Sequence, residues 1–450
     1  MVSTGKMVMK LFVLFAFLLA FTGCRREIEG LGAKVTLDQR KLSNDLVVIM
    51  VEDHTVPIIS YQTWFRVGSV DEHGGSTGMA HLFEHLMFKG TPKFGPRRFF
   101  RELEAKGAEV NAFTTRDYTV YFENFVPNLL EKVVDMESDR MANLTLTEET
   151  LNTEKLVVLE ERRLRAENTP EGKMQEALWA LAYRYHPYQF PVIGYAPDLL
   201  NLNVEQMTAF YRSHYQPANA ALVIVGDFKT DHLWSLIQKY YGPLKNAPRP
   251  LRKFAAEPQQ EEERQLILRD QVASERFSSA YHVTSAEKDD SFALDVLANI
   301  LFEGTHSRAY RSIVEEQNLA ITISGSAYTP TYPGLFMINA VMKGGVPATR
   351  VQTALNELIG EVQENSVTAE EIQRAVRQLT VQMLDSIRTP QGLGQLIGTV
   401  HTILGDSRDF SSDLQKYLNV TREDVKRVAQ KYLIPNNRSI VTLVPKAGKK

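Results

Sequence analysis

The sequence predicts an α+β protein that consists of two similar domains in tandem. Strand-like and helix-like stretches occur in groups rather than in strict alternation, which is typical of α+β proteins. Segments of the first half recur 214 to 220 residues further along the chain. A chain of 450 residues is also long enough for two or three domains of ordinary size.

The chain begins with a pattern typical of a secretory signal. Two lysines precede eleven consecutive apolar residues, 11–21, and the small residues Thr22 and Gly23 follow. This order of charged, apolar and small residues predicts a signal peptide over residues 1–23. A membrane-anchoring helix is the alternative, although the apolar run is much shorter than the roughly 20 residues that span a bilayer.

Cys24 is the only cysteine of the chain and directly follows the small residues. The stretch Phe21-Thr22-Gly23-Cys24 resembles the box of bacterial lipoproteins, in which the cysteine becomes the lipidated first residue, although leucine is usual where Phe21 stands. The resemblance implies a lipid anchor, so that the protein is tethered to a membrane without spanning it. Because Arg25 is not the aspartate associated with inner-membrane retention, we expect the outer membrane, facing the periplasm.

Hydrophobic periodicity predicts the elements of the first half in order. Residues 24–33 are expected to form a lipidated linker, and two β-rich runs, 46–53 and 57–67, are expected to pair with each other as neighbouring strands. Helical patterns cover residues 79–88, 97–106, 128–143 and 148–167. Further strand patterns cover residues 109–114, 119–124 and 221–226.

Three pairs of segments indicate an internal repeat. NVEQMTAFYRSHYQPANAALVIVG at 203–226 matches NVTREDVKRVAQKYLIPNNRSIVTLV at 419–444 in the order of its Asn-Val, Tyr and Pro positions. TPEG at 169–172 matches TPQG at 389–392, and LMFKGT at 86–91 matches ILFEGT at 300–305. Agreement at nearly one offset predicts two copies of one domain, 34–245 and 264–450. Residues 246–263, rich in proline, glutamine and charge, are the expected exposed linker.

The overall composition is that of a soluble globular protein, with 44% hydrophobic and 23% charged residues. The 51 lysines and arginines against 54 aspartates and glutamates give a net charge of −3. Because there is no basic excess, we expect no nucleic-acid partner.

The stretch HLFEHLMFKGT at 81–91 raises the possibility of a metal site. Residues four apart lie on the same face of a helix, so His81 and His85 are able to direct two imidazoles at one ion. Glu84 borders that face and is placed to take a proton from a metal-bound water. The alternative is an amphipathic helix that carries three polar residues without any metal.

A catalytic zinc site needs a third protein ligand, and TEKLVVLEERR at 153–163 offers one. Glu154 and Glu161 are two helical turns apart and share a face, whereas Glu160 points away from it. Glu161 is therefore the candidate ligand, with Glu154 behind it in a supporting contact. A solvated, glutamate-rich helix face is the alternative interpretation.

HLFEH resembles the inverted zinc motif of the inverzincin peptidases. Together with EKLVVLEE, it closely resembles the pitrilysin/insulinase family, especially its mitochondrial processing peptidase branch, which also shares the separation of 76 positions between His85 and Glu161. GAEVNAFTTRDYTVYF at 107–122 and HPYQFPVIGY at 186–195 are further family-like strings. The resemblance covers essentially the whole mature chain.

The resemblance implies one Zn²⁺ per chain, bound by His81, His85 and Glu161, with Glu84 as the catalytic base. It also implies the fold of the processing peptidases, two related α/β domains that each consist of a mixed sheet with helices packed on it. An extended peptide substrate is expected to bind along the edge of one strand through main-chain hydrogen bonds. The strand residues concerned are Asn111, Ala112, Phe113 and Thr114.

The second copy lacks this metal site. At the repeat offsets, Asp295, Ala298, Asn299 and Val381 stand where the first copy has His81, Glu84, His85 and Glu161. The first domain is therefore predicted to be catalytic, and the second to shape the substrate chamber.

The second domain also departs from the family pattern. Active single-chain relatives resemble SRLFxxxREKxGLAY, whose Arg and Tyr hold the substrate carbonyl, whereas SRAYRSIVEEQNLAITI at 307–323 places Val314 and Ile321 at those positions. Neither side chain donates a hydrogen bond. We therefore expect the zinc-bearing half of a heterodimer, whose related partner lacks HxxEH and supplies the Arg/Tyr pair; the alternative is a non-catalytic envelope scaffold or binding subunit.

These observations predict a zinc-dependent endopeptidase, anchored by lipid in the bacterial periplasm, that cleaves peptides or small unfolded proteins. The sequence does not identify the natural peptide or the partner subunit.

Overall fold

The computed structural model describes residues 24–30, 33–96, 98–405 and 410–446. The predicted signal peptide, residues 1–23, lies outside the described residues. The chain forms two halves, each with one mixed β-sheet covered by helices, as the sequence predicts. No helix within the described ranges is both long and apolar enough to cross a membrane.

The first half contains a seven-stranded sheet and eight helices among its described residues. The strands are β1 (Cys24–Gly30), β2 (Ala33–Lys41), β3 (Val47–Glu52), β4 (Ile59–Phe65), β5 (Glu109–Thr114), β6 (Thr119–Phe125) and β7 (Ala220–Gly226). The helices are α1 (Met79–Leu86), α2 (Arg98–Glu104), α3 (Leu130–Asn143), α4 (Glu148–Arg162), α5 (Pro170–Ala182), α6 (Ala196–Asn201), α7 (Val204–His214) and α8 (Thr230–Tyr241).

The second half contains a five-stranded sheet. Its strands are β8 (Arg264–Asp270), β9 (Arg276–His282), β10 (Ala320–Tyr328), β11 (Leu335–Met342) and β12 (Arg438–Pro445). Its helices are α9 (Asp290–Phe302), α10 (Ala348–Asn365), α11 (Ala369–Ser386), α12 (Pro390–Leu404), α13 (Phe410–Leu418) and α14 (Arg422–Tyr432).

The order of strands in the two sheets reproduces the repeat that the sequence indicates. The first sheet has the order β1-β2-β3-β7-β4-β6-β5, and the second, read from its other edge, has the order β8-β12-β9-β11-β10. The last five strands of the first sheet therefore correspond one to one with the five of the second. In each sheet the first corresponding pair is parallel, β3 with β7 and β8 with β12, and the others are antiparallel.

The predicted pairing of the runs 46–53 and 57–67 is wrong. β7 lies between β3 and β4, parallel to the first and antiparallel to the second. All seven residues of β7 are buried, with Leu222 and Ile224 on one face and Val223 and Val225 on the other. A strand that is apolar on both faces is most favourable at the centre of a sheet, where both faces are covered.

The segment predicted as a linker, residues 24–33, is largely a strand. β1 pairs with β2 in an antiparallel arrangement and forms one edge of the first sheet. Pairing with β2 satisfies backbone hydrogen bonds of this segment within the protein. Its sequence is rich in charged residues, which are typical of edge strands because they oppose pairing with another chain. Cys24, the predicted lipidation site, begins β1, and its side chain lies outside the described part of the chain.

The two halves exchange one helix each. α5 of the first half packs on the second sheet, where Leu178 and Trp179 join a cluster with Val441 and Leu443. α12 of the second half packs on the first sheet, where Leu393 and Ile397 contact a cluster that includes Trp64 and Val223. The repeated TPEG and TPQG motifs start these two helices: a threonine side chain caps each helix and proline occupies the first turn. The exchange fixes the halves against each other.

The connection between the halves has neither helix nor strand over residues 246–263. It is nevertheless held in place, because Arg252 forms a two-pronged ion pair with the buried Asp71 of the first half. Glu257 accepts hydrogen bonds from three consecutive backbone N–H groups, those of Arg184, Tyr185 and His186. The linker is thus more firmly attached than its composition suggests.

Candidate metal centre

The candidate centre lies where α1 and α4 cross, and α1 owes its position to its N-terminus. Gly78, which precedes the helix, has φ of +87°, and a Cβ at this residue would lie 2.8 Å from the carbonyl oxygen of Ile193. The buried carboxylate of Glu72 accepts hydrogen bonds from the N–H groups of Gly78 and Ala80 at 2.7 and 2.8 Å. Burial raises the pKa of Glu72 to about 8, although these two hydrogen bonds act in the opposite direction.

α1 buries one face in the core and directs another at α4. Leu82, Phe83 and Leu86 are fully buried in the hydrophobic core of the first half. His81 and His85 lie one helical turn apart on the adjoining face, with ring centres 5.0 Å apart. The four-residue spacing in the sequence therefore does place both imidazoles side by side.

α4 brings the predicted third ligand to this pair. Its first turn is fixed by a capping box of Thr147 and Thr150, and Leu151 and Val158 pack into the core. In the last turn of α4, Glu161 directs its carboxylate at the histidines. Its Oε1 lies 3.8 Å from Nε2 of His81, and its Oε2 lies 3.3 Å from Nε2 of His85.

These three side chains fit a zinc ion. Nitrogen and oxygen ligands bind zinc at about 2.0–2.1 Å, so that neighbouring ligand atoms of a tetrahedral site are about 3.3 Å apart. The donor atoms of His81, His85 and Glu161 all lie within 4.8 Å of one another, and they are the one such group among the described residues. Small side-chain movements would bring this set to the required spacing, and three ligands leave one position for water.

The charges around the three side chains also suit a cation. Burial lowers the pKa of His81 to about 4, aided by the charge of the neighbouring ring. Burial also disfavours the charged form of His85, but the neighbouring carboxylates of Glu154, Glu161 and Glu84 raise its pKa to about 9. The carboxylates therefore attract positive charge to the place where the two imidazoles and Glu161 converge.

Glu154 supports His85 from the side opposite Glu161. Its Oε2 lies 3.6 Å from Nδ1 of His85, and its Oε1 forms an ion pair with Lys89 at 2.6 Å. A carboxylate in this position orients a ligating imidazole and makes it more basic. The supporting contact predicted for Glu154 is thus directed at a histidine rather than at Glu161.

Glu84, the predicted base, is held by the edge strand. Thr114 of β5 donates a hydrogen bond from Oγ1 to Oε2 of Glu84 at 2.7 Å. Oε1 makes no hydrogen bond with any residue that the structure describes and remains open to a water molecule. Burial raises the pKa of Glu84, while the hydrogen bond from Thr114 lowers it in part. A carboxylate with a raised pKa accepts a proton more readily and is therefore better suited to transfer that proton.

The four predicted substrate-binding residues have different surroundings. β5 is an edge strand that pairs only with β6 among the described strands, so its outer edge is available to a peptide. Thr114 lines the cavity beside the centre, and Asn111 and Ala112 lie along the same strand. The ring of Phe113 instead packs edge-on against Trp64 at 6.3 Å, on the sheet face that α12 covers.

A cavity of about 290 Å³ opens beside the centre. His81, Glu161 and Thr114 form one side, and Arg116, Arg165 and Trp179 are among the residues that line the rest. Arg165 contacts Oε1 of Glu161 at 2.7 Å from a short π-helical continuation of α4. Sequence reasoning missed Glu72, Arg116, Arg165 and Trp179, although Arg116 lies within the family-like string at 107–122.

At the equivalent place in the second half, the described residues form no group of metal ligands. Asp295 of α9 is partly buried and accepts a hydrogen bond from the hydroxyl of Tyr417 at 2.7 Å, Asn299 is buried, and Val381 is half exposed on α11. Val314 packs against the core of the second half, and Ile321 is an exposed residue of β10. Neither residue supplies a hydrogen-bond donor from its side chain, as the sequence indicates.

Comparison with known proteins agrees with this arrangement. Residues 47–195 match the family model described as insulinase, peptidase family M16, and residues 201–379 match the model described as the peptidase M16 inactive domain. A protein named zinc protease PqqE from Helicobacter pylori is 28% identical over 411 residues, which cover 90% of this chain and 92% of that protein. A probable mitochondrial-processing peptidase subunit beta from Arabidopsis thaliana is 24% identical over 90% of this chain and 77% of its own length.

A solved structure supports the same conclusion. The crystal structure of a protease from Helicobacter pylori superimposes with a TM-score of 0.87 at 26% identity, over 91% of this chain and 99% of that one. The family models match residues 47–195 and 201–379, and the two relatives and this superposition cover 90% and 91% of the chain. The chain therefore belongs to the insulinase family of peptidases, family M16.

Proposed function

We propose that this protein is a zinc-dependent endopeptidase that cleaves peptides or small unfolded proteins. The observation that carries the proposal is the convergence of His81, His85 and Glu161 on one point, with Glu84 one turn along the same helix. Relatives named zinc proteases support it. A structural helix pair has no need of two imidazoles and three carboxylates at one crossing, because burying them costs free energy.

The residues of the centre have distinct parts in hydrolysis. A zinc ion bound there would lower the pKa of a water molecule to about 7 and polarise the carbonyl of the scissile peptide bond. Oε1 of Glu84 would accept the proton of that water and later donate it to the departing amine nitrogen. Thr114 keeps the carboxylate of Glu84 in place during both transfers.

The peptide would bind as an added strand along the outer edge of β5. The backbone groups of Ala112 and Thr114 face the outer edge, because those of Asn111 and Phe113 face β6. Main-chain hydrogen bonds to Ala112 and Thr114 would give affinity that depends little on sequence. Because Thr114 also holds Glu84, a peptide paired with this strand would pass directly by the proposed base.

The second half motivates a heterodimer. Val314 and Ile321 leave this chain without the Arg/Tyr pair that would bind the substrate carbonyl, so a related subunit without HxxEH would supply it. Such a partner would close over the face that carries the cavity. The signal-like residues 1–23 and Cys24 further support a lipid-anchored protein in the bacterial periplasm, with the outer membrane favoured.

A non-catalytic envelope scaffold or binding subunit is the second candidate. The missing Arg/Tyr pair favours it, as does the match of residues 201–379 to a domain described as inactive. Against it, a scaffold has no use for an intact set of metal ligands and a base, and all four are present in the first half.

Replacement of Glu84 by glutamine tests the proposal. The complex purified from its native membrane should cleave a library of quenched fluorescent peptides, and Glu84→Gln should reduce cleavage by about 100-fold or more because the proton acceptor is lost. The variant should still contain zinc. Glu160→Gln, at an exposed residue that pairs with Arg163, is the matched control and should cleave normally. Zinc-loaded parent complex that cleaves no peptide, or Glu84→Gln that cleaves at the parent rate, would refute the proposal.

A further inference from the structure

Arg116 lines the cavity of the metal centre and forms no ion pair with a carboxylate among the described residues. It follows β5 by two residues, and the central carbon of its guanidinium lies 3.4 Å from the centre of the Trp179 ring. Its Nε donates a hydrogen bond to the backbone oxygen of Tyr188 at 3.3 Å. The two terminal nitrogens form no hydrogen bond or ion pair with any described residue, and the side chain lines the cavity.

The carboxylate next to Arg116 in the chain is directed elsewhere. Asp117 is almost fully buried and accepts hydrogen bonds from the hydroxyl of Tyr188 at 2.7 and 2.8 Å and from the N–H of Thr331 at 3.0 Å. It also lies 3.6 Å from the guanidinium of Arg252. Asp117 therefore has three other partners and does not pair with Arg116.

The other charged residues of the cavity are already paired. Arg165 contacts Glu161 at 2.7 Å, and Glu176 contacts Arg162 at 2.8 Å. Arg116 is consequently the one charged side chain of the cavity wall that forms no ion pair with a described residue. The first half thus presents a free positive group beside the proposed metal centre.

An unpaired cation in a partly buried place is costly unless a ligand completes it. Burial lowers the pKa of Arg116, yet a guanidinium stays charged in proteins. Stacking on Trp179 fixes its plane, so that the two terminal N–H groups form a rigid fork. A carboxylate matches that fork with two parallel, charge-assisted hydrogen bonds, which a neutral carbonyl oxygen cannot do.

We propose that Arg116 is the centre of a subsite that binds a carboxylate of the peptide, the side chain of an aspartate or glutamate near the scissile bond. The inference rests on the proposed function, because it assumes that the peptide occupies the cavity of the metal centre. It names the substrate class of that site: peptides with an acidic residue beside the cleaved bond. A free C-terminal carboxylate offers the same chemistry and is distinguished by the experiment.

Peptide binding to the zinc-loaded Glu84→Gln protein tests the subsite without turnover. Fluorescence anisotropy compares labelled alanine-rich peptides that are amidated at the C-terminus and carry one glutamate, at each position in turn, with the same peptides carrying glutamine. At one position the glutamate peptide should bind at least about tenfold more tightly than its glutamine counterpart, because a charged, hydrogen-bonded pair contributes that much affinity. Equal affinities at every position would overturn the proposal. A second set of glutamine peptides carries a free C-terminal carboxylate. If only these peptides bind more tightly than the amidated ones, the subsite binds the chain end and the proposal is overturned.

Substitutions at Arg116 locate the effect. Arg116→Met keeps the length of the side chain over Trp179 but removes the charge, and it should abolish the preference for glutamate. Arg116→Lys should retain part of it. Arg388→Met is the matched control, because it removes an exposed arginine whose one ion pair with a described residue is with Asp385 on the surface, and it should retain the full preference. A preference that survives in Arg116→Met would overturn the proposal, and the peptide series decides the question if that variant does not fold.

The binding readout separates this inference from the proposed function. If the parent complex cleaves peptides without any acidic preference in binding or rate, the subsite is wrong and the peptidase stands. If no peptide is cleaved but the Arg116-dependent preference is measured, the peptidase is wrong and the carboxylate subsite stands.

Discussion

The same arrangement of five strands carries a set of metal ligands in one half of the molecule and no such set among the described residues of the other. In the first half, α1 and α4 bring His81, His85 and Glu161 together. In the second half, the corresponding place is closed by the hydrogen bond between Tyr417 and Asp295. Both halves have a continuous hydrophobic core. Because the second half folds around its own core without such a set of described ligands, the fold does not require a metal site. Folding therefore does not explain why the first half carries these ligands.

The closed site of the second half gives the first prediction. Burial raises the pKa of Asp295 to about 6, above the value of about 3.9 for an unfolded chain. Below about pH 4 both states hold the proton and there is no cost. Between about pH 4 and pH 6 the unfolded chain ionises while the folded carboxyl keeps its proton, so that stability falls by about 3 kcal/mol, and above about pH 6 there is no further loss. Asp295→Asn removes this cost and keeps an acceptor for Tyr417.

Urea denaturation of the parent and of Asp295→Asn at about pH 4 and about pH 7 checks this prediction. Relative to the parent, the variant should gain about 3 kcal/mol of stability on going from the lower to the higher pH. The first half is the same in both proteins, so its own titrations cancel in the difference. If the stability difference between the variant and the parent is the same at both pH values, the pKa of Asp295 is not raised in the folded protein.

The support of His85 in the first half gives the second prediction. Glu154→Gln weakens the contact with Nδ1 of His85 and should lower zinc affinity by about 10- to 100-fold, or roughly 1.4 to 2.7 kcal/mol. Glu160→Gln changes a neighbouring but exposed carboxylate and should leave affinity unchanged. Competition with a zinc-binding dye measures both. Equal affinities for the two variants would show that Glu154 does not act on the metal ligand.

The exchanged helix gives the third and smallest prediction. A Cβ at Gly398 of α12 would lie 2.1 Å from the ring of Trp64 in the first sheet, whereas one at Gly360 of α10 would have open space. Gly398→Ala should therefore destabilise the protein by about 1–2 kcal/mol through overpacking. Gly360→Ala should stabilise it by up to about 1 kcal/mol, since alanine favours a helix. Thermal unfolding compares the two, and a stabilising Gly398→Ala would contradict the packing of α12 on the first sheet.

Much of the fold was predictable because local patterns determine local elements. The strand at 109–114 and the helices that carry His81 and Glu161 follow from periodicity, and the internal repeat anticipates two sheets of like order. Which elements pack against one another is not determined by local patterns. Periodicity shows that β3, β4 and β7 are strands, but the central place of β7 depends on burial of both its faces. Likewise, an apolar face on α5 or α12 does not show which sheet it covers.

The candidate site was predictable for the same reason and within the same limits. The spacing of His81, His85 and Glu161 on helices fixes their faces, and the structure brings those faces together. The hydrogen bond from Thr114 to Glu84 and the unpaired guanidinium of Arg116 depend on how an edge strand sits against a helix. No spacing in the sequence encodes that relation.

The zinc content of the purified chain tests the central claim most directly. Elemental analysis of the parent protein and of His81→Ala, with X-ray absorption spectroscopy to identify the ligands, decides whether the first half alone binds the metal. We predict one zinc per chain with nitrogen and oxygen ligands, and its loss in His81→Ala. A parent protein that binds no zinc, or a His81→Ala variant that keeps it, would contradict the account.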